Sequence, residues 1–103
     1  MATQQFALTE AQAFVAELHA LGIHPQQVIL FGSFARNEQH EWSDIDLAIV
    51  AEEFSSFRPD NSACMSPALW KHVDIEPHTF RPEDFTDWNP FVAEIKRTGI
   101  RVV

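Results

Sequence analysis

Two aspartates at the start of an apolar segment are the residues best suited to chemistry. Asp44 and Asp46 are two positions apart, and the chain is apolar from Leu47 to Val50. In a β-strand this spacing puts both side chains on one face, roughly 6.5 to 7 Å apart at the backbone. Neighbouring carboxylates repel each other unless a cation lies between them, and oxygen ligands suit Mg²⁺ or Mn²⁺. The pair predicts a metal site, although two solvated acids at a strand end would show the same pattern.

A glycine and a serine follow the preceding apolar segment. Val28 to Phe31 is entirely apolar, and Gly32 and Ser33 come directly after it. Glycine lets an anion approach the main chain closely, and the serine hydroxyl and nearby backbone N–H groups can donate hydrogen bonds to that anion. The pair is therefore either a candidate phosphate cradle or an ordinary turn. It is not a Walker loop, because no G-x-x-x-x-G-K sequence is present.

Taken together, the two segments resemble a known signature. The residues Gly32-Ser33-Phe34-Ala35-Arg36 and, after six intervening residues, Ser43-Asp44-Ile45-Asp46-Leu47 resemble the motif of the DNA polymerase beta-like nucleotidyltransferase superfamily, and more narrowly the minimal nucleotidyltransferase (MNT) group. The resemblance extends over about Val28 to Arg101. It implies an α/β (α+β) fold in which a small mixed sheet has helices packed on one face, with residues 1–103 forming a single domain. Many relatives carry glycine where this chain has Asn37, a residue that tolerates a left-handed backbone.

The resemblance also implies roles for individual residues. The chain would be a nucleotidyltransferase that uses Mg²⁺ (or Mn²⁺) as cofactor and ATP as substrate. The catalytic and metal-binding residues would be Asp44, Asp46 and Asp74, and the nucleotide-binding residues would be Gly32, Ser33, Arg36 and Ser43.

Three of these assignments have alternatives. Glu76 lies on the same predicted strand face as Asp74 and competes with it for the third acidic position. Arg36 could form an ion pair with a nearby acid, such as Glu38 or Glu41, instead of reaching a phosphate. Ser43 could orient the neighbouring aspartate instead of contacting substrate. The five histidines share no metal-ligand spacing and are expected to be structural.

The motif does not identify the acceptor. Minimal nucleotidyltransferases of this type resemble antitoxins of the MntA type, which are paired with HEPN toxins and place AMP on the toxin. The resemblance therefore implies transfer of AMP to a hydroxyl of a helical HEPN-type partner protein. Two alternatives remain: a binding module that neutralises a partner by covering it, and an enzyme that modifies a small alcohol such as an aminoglycoside. The sequence leaves the oligomeric state, including a homodimer, undetermined.

Hydrophobic periodicity predicts the elements that position these residues. A helix is expected over Glu10 to Leu21 with Thr9 as its cap, and a last helix is expected to begin at Pro90 with Asn89 as its cap. Buried strands are expected at Val28 to Phe31 and Ile45 to Val50, with a brief helix from Phe34, an irregular connection over Ala51 to Trp70, and a third strand at His72 to Glu76.

Composition narrows the class of protein. The 103 residues carry a formal net charge of −8, and the pI is near 4.9. Such a surface repels phosphate backbones, so a long nucleic-acid duplex is not an expected partner. The longest unbroken aliphatic and aromatic run is far shorter than the roughly 20 residues that span a bilayer, and the first ten residues do not resemble a leader. No membrane association is expected, and the expected compartment is the cytoplasm.

Overall fold

A computed structural model describes residues 3–55 and 57–103 of the chain. These residues contain four strands, four α-helices and one short 3₁₀ turn. In chain order these are α1 (Gln4–Ala20), β1 (Gln27–Phe31), β2 (Ile45–Val50), α2 (Arg58–Cys64), α3 (Ser66–Lys71), β3 (Ile75–Phe80), the 3₁₀ turn (Pro82–Asp84), α4 (Pro90–Thr98) and β4 (Ile100–Arg101).

The strands form one mixed sheet in the order β3-β2-β1-β4. β1 runs antiparallel to both β2 and β4, whereas β2 and β3 are parallel. The expected mixed sheet is therefore confirmed. This topology brings the carboxyl end of β1 and the amino ends of β2 and β3 to the same end of the sheet. Phe31 pairs with Asp46, and Asp46 pairs with Glu76, so all three strands contribute residues there.

Helices cover both faces of the sheet. On one face Phe14 and Leu18 of α1 pack with Leu30 and Leu47 of the sheet. On the opposite face Val92 and Ile95 of α4 pack with Ile29, Ala48 and Val50. The expectation that all helices lie on one face is wrong, because β1 and β2 are apolar on both sides and each side needs cover.

Helix α1 begins earlier than its pattern indicates. The hydroxyl of Thr3 accepts a hydrogen bond from the N–H of Phe6 at 3.0 Å, so Thr3 rather than Thr9 is the cap. Ala7, one turn before Ala11, is fully buried and extends the apolar stripe by a turn. At the other end of the chain, Asn89 caps α4 by accepting from Phe91 N–H at 3.0 Å, as expected.

The segment between β2 and β3 is more regular than its sequence indicates. It holds α2 and α3, whose first turns contain Pro59 and Pro67. Proline is favoured at the start of a helix, but helices of six and seven residues are too short to show a clear apolar period. Asn61 fixes α2 to the sheet: its buried side chain bonds both backbone groups of Ser55 at 2.8 Å and the hydroxyl of Thr79 at 3.1 Å.

The third strand begins later than predicted. It starts at Ile75 and continues through Pro77 to Phe80. Pro77 is tolerated because β3 is an edge strand. His72, predicted to lie in the strand, caps α3 and bonds Glu10 of α1 at 2.8 Å, while Val73 is 77% exposed. Within the described residues, no helix combines the length and hydropathy needed to cross a membrane.

Candidate active site

An acidic cluster with one histidine lies at the end of the sheet where β1, β2 and β3 meet. One ligand atom from each of Asp46, Glu76 and His78 lies within 4.8 Å of the other two. Parallel pairing explains the proximity of the acids, because paired residues on adjacent strands share a face of the sheet. Among the described residues, these three side chains are the ones whose ligand atoms lie close enough together to share one metal ion.

The structure places Glu76, rather than Asp74, next to Asp46. Asp74 lies in the turn that precedes β3, and its backbone oxygen accepts a hydrogen bond from Ile45 N–H at 2.8 Å. Its side chain lines a separate groove that also contains Trp42 and Asp44. The sequence predicts Asp74 for the third acidic position, whereas the strand begins one residue after Asp74 and the first acid within the paired strand is Glu76.

Negative charge is concentrated at this cluster. Partial removal of water raises the pKa of the Glu76 carboxyl above its ordinary value, and the Asp46 carboxylate raises it further. The charge of Asp44 acts in the same direction, whereas His78 lowers the pKa. Burial and the neighbouring acids together outweigh the opposing effect of His78 on the pKa of Glu76.

His78 completes the cluster, and the sequence analysis missed it. Its Nε2 atom lies 3.3 Å from Oδ1 of Asp46. The ring makes edge-to-face contacts with Phe31 and Phe91, with centroid distances of 4.9 and 6.0 Å. The signal that could have found it is strand alternation: His78 is two residues after Glu76 and therefore on the same face. The predicted third strand, however, ends at Glu76, two residues before His78.

Gly32 is packed directly against the Asp46 carboxylate. Its φ of +76° belongs to the left-handed region, and an added Cβ would collide with Oδ2 of Asp46 and lie 3.2 Å from its Cγ. Glycine is therefore required twice, for the backbone conformation and for the close approach of the acid. The phosphate-cradle candidate and the acidic cluster are consequently one site.

The segment after Gly32 is a series of hydrogen-bonded turns rather than the expected brief helix. Its backbone bonds run from Arg36 N–H to Gly32 and from Glu38 N–H to Ser33, at 3.2 and 2.8 Å. Asn37 has a φ of +55°, the left-handed conformation expected for it. Within residues 3–55 and 57–103, the N–H groups of Ser33 and Phe34 have no hydrogen-bond partner; Phe34 is buried, whereas Ser33 is partly exposed, so the Ser33 N–H is the one that an anion can reach.

The remaining predicted residues lie around this turn. Arg36 forms an exposed ion pair with Glu38 at 3.1 Å, which is the alternative that the sequence left open. The hydroxyl of Ser43 accepts a hydrogen bond from His40 N–H at 2.9 Å and so fixes the loop that leads into β2. Asp44, the first residue after this loop, is exposed and lies close enough to Glu76 to affect its pKa, but outside the 4.8 Å cluster.

The donor set fits a divalent cation that favours oxygen. Two carboxylates lie in direct proximity and a third acid lies at the margin; these oxygen donors suit Mg²⁺ and Mn²⁺, whereas the imidazole nitrogen of His78 is not a donor that either ion favours. A cation would remove the repulsion that raises the pKa of Glu76. The partly exposed Ser33, whose N–H has no hydrogen-bond partner among the described residues, can donate to phosphate oxygens, which Mg²⁺ commonly takes as ligands.

Comparisons with known proteins identify the family and the fold of the chain. A family model described as a nucleotidyltransferase domain matches residues 10–97. A curated relative from Methanocaldococcus jannaschii, named "Putative protein adenylyltransferase MJ1305", is 29% identical over 83 residues. That match covers 74% of this chain and 56% of the relative, so the chain spans about half the length of the relative. A crystal structure of a mutant toxin–antitoxin MntA–HpeT superimposes with a TM-score of 0.61 at 16% identity, covering 88% of this chain and 70% of that chain. This likeness shows a shared fold.

Proposed function

Because the chain belongs to the nucleotidyltransferase domain family, we propose that it transfers AMP from ATP to a hydroxyl group of a partner protein. The observation that carries the proposal is the packing of Gly32 on Asp46, with Glu76 beside them. This arrangement joins a turn with a free N–H donor to paired carboxylates, which are the two parts that a nucleoside triphosphate and its cation require.

Each residue has a distinct task in this proposal. Asp46 and Glu76 hold the cation, with Asp44 at its margin, and Glu76 takes the third acidic role that the motif resemblance implied for Asp74. When bound, a divalent cation neutralises charge on the reacting phosphate and makes an acceptor hydroxyl more acidic. The N–H group of Ser33 binds an outer phosphate. Asp46 is kept in position by His78, whose ring packs edge-to-face against Phe31 and Phe91.

The protein acceptor is inferred from the relatives. One of them is named as a protein adenylyltransferase, and the structural neighbour is a toxin–antitoxin pair. We infer that this chain likewise acts on a partner, a helical HEPN-type toxin, and neutralises it by modification. An alternative is a binding module that neutralises the partner by complex formation alone. The three acids at the sheet end favour catalysis, since a purely covering protein has no need for like charges held close together.

A labelling experiment separates these functions. The chain and the product of the neighbouring gene are incubated with Mg²⁺ and ATP labelled either at the α or at the γ phosphorus. We expect the α label on the partner, no γ label, and loss of the α label in Asp46→Asn. Inhibition of the partner that persists in Asp46→Asn without any label would instead establish the binding module. Transfer of the γ label would refute nucleotidyl transfer.

A further inference from the structure

An open groove of about 630 Å³ lies beside the acidic cluster, beyond the edge strand β3. Asp44 and Glu76 form its end at the active site, and α3 and the turn before β3 form its wall. The apolar residues that line it are Leu69, Trp70, Val73, Ile75 and Pro77. We propose that this groove binds the acceptor, and that the acceptor is a cationic, hydroxyl-bearing polypeptide segment. The inference rests on the proposed function.

The order of the strands fixes the side from which an acceptor approaches. The phosphate-binding turn follows β1, Asp46 is on β2, and Glu76 is on β3, which is the edge of the sheet. In phosphoryl-type displacements the attacking and leaving oxygens lie roughly in line across the phosphorus. If the leaving pyrophosphate lies over the β1 turn, the attacking hydroxyl comes from beyond β3. The groove occupies that side.

The exposed aromatic and aliphatic residues indicate a macromolecular occupant. Trp70 is 78% exposed and Val73 is 77% exposed, so the groove is open and cannot enclose most of a small molecule. Small-molecule sites usually bury 70–90% of their ligand. Exposed tryptophan is instead typical of the anchoring positions of protein interfaces. All three tryptophans are exposed in this chain, but Trp70 is the one that lines this groove.

The charge of the groove indicates a cationic segment. Its described lining contains two acids and neither lysine nor arginine. Lys71, the next residue after Trp70, is directed to Glu17 of α1, with a Nζ–Oε2 distance of 3.2 Å. The chain as a whole carries a net charge of −8. An acceptor segment with arginine or lysine next to its hydroxyl residue would be attracted, and an acidic one repelled.

Two matched variants test the groove by its effect on transfer. The probes are octapeptides with a central serine, threonine or tyrosine flanked by leucine and arginine, the same peptides with glutamate for arginine, and the aminoglycoside kanamycin. Trp70→Ala should raise the KM for the arginine peptides about tenfold or more and leave the KM for ATP unchanged. Trp88→Ala, which removes an equally exposed tryptophan from a different surface, should change neither. Equal KM values for the peptides in both variants would overturn the proposal.

A binding measurement keeps the inference separate from the proposed function. With Trp42 and Trp88 replaced by phenylalanine, the fluorescence of Trp70 reports binding without ATP. We expect a saturable change with the arginine peptides and a much weaker one with the glutamate peptides. Should the wild-type chain transfer no AMP to any acceptor, the proposed function fails and this titration alone decides the groove. No saturable change up to about 1 mM peptide, or saturation by kanamycin alone, overturns the proposal.

Discussion

Replacing Glu76 with glutamine is expected to change stability and activity in opposite directions. The carboxylate oxygens of Glu76 and Asp46 lie within 4.8 Å of each other, and Asp46 raises the pKa of Glu76 by charge repulsion. Glu76 is exposed, so the dielectric constant of water applies, and the repulsion is about 1 kcal/mol at low salt. Without a divalent cation, Glu76→Gln should therefore raise the melting temperature by about 5 °C.

The same change should impair the site when the cation is present. Glutamine keeps the shape of the side chain but loses the charge that holds the cation beside Asp46. We expect Mg²⁺ or Mn²⁺ to stabilise the wild-type chain more than the variant, because a ligand that binds the folded state stabilises it. We also expect the transfer rate to fall by about 100-fold or more, since even outer-shell changes at metal sites cost 10–100-fold.

Asp74→Asn is the matched control, because it removes one exposed acidic charge two residues away. Melting curves with and without Mn²⁺, together with transfer of α-labelled AMP, compare the two variants directly. Asp74→Asn should leave the Mn²⁺ stabilisation intact and reduce transfer by less than about threefold. If Asp74→Asn abolishes transfer while Glu76→Gln retains it, the third acid is Asp74 and the reasoning from strand register is refuted.

Three further variants have defined outcomes. Gly32→Ala should abolish transfer in an AMP-transfer assay, because the added Cβ displaces the Asp46 carboxylate. Gly22→Ala is its control: it carries the same cost of positive φ, about 1 kcal/mol, but its Cβ has no atom within 4 Å, so full activity is expected. Asn61→Ala should lower the free energy of unfolding by about 2 kcal/mol in urea titrations, because it leaves buried polar groups without partners. Arg36→Gln should change the free energy of unfolding by less than about 0.5 kcal/mol, since the Arg36–Glu38 ion pair is exposed. It should raise the KM for ATP if the arginine leaves Glu38 to bind a phosphate. An unchanged KM would show that Arg36 serves only the ion pair.

Strong local patterns predicted the centre of the fold. The strand Ile45 to Val50 was predicted with its observed limits. Asn89 as cap and Pro90 as first helical residue predicted the start of α4. The start of α1 and the two short helices after β2 were missed. Burial of Ala7 supports the first turns of α1, and the bonds of Asn61 support α2; both are tertiary contacts that no local period records.

The same distinction explains the site. Local spacing predicted that the Asp44–Asp46 pair and the Gly32 turn belong together, and the structure packs Gly32 on the Asp46 carboxylate while Asp44 lies outside the cluster. The third acid depends on which residue of β3 pairs with Asp46, and register is a property of two strands rather than one. Alternation placed Asp74 and Glu76 on one face without deciding between them. His78 was missed for a different reason: the third strand was predicted to end at Glu76, two residues before it.

The central claim is that a cation held by Asp46 and Glu76 and a triphosphate bound by the Gly32 turn share one site. Crystals of the chain grown with Mn²⁺ and a non-hydrolysable ATP analogue test it most directly, because anomalous scattering locates the metal. We expect Mn²⁺ in contact with carboxylate oxygens of Asp46 and Glu76, and phosphate oxygens within hydrogen-bond distance of the Ser33 N–H. Mn²⁺ bound at Asp74 instead, or a triphosphate bound away from the Gly32 turn, would contradict the account.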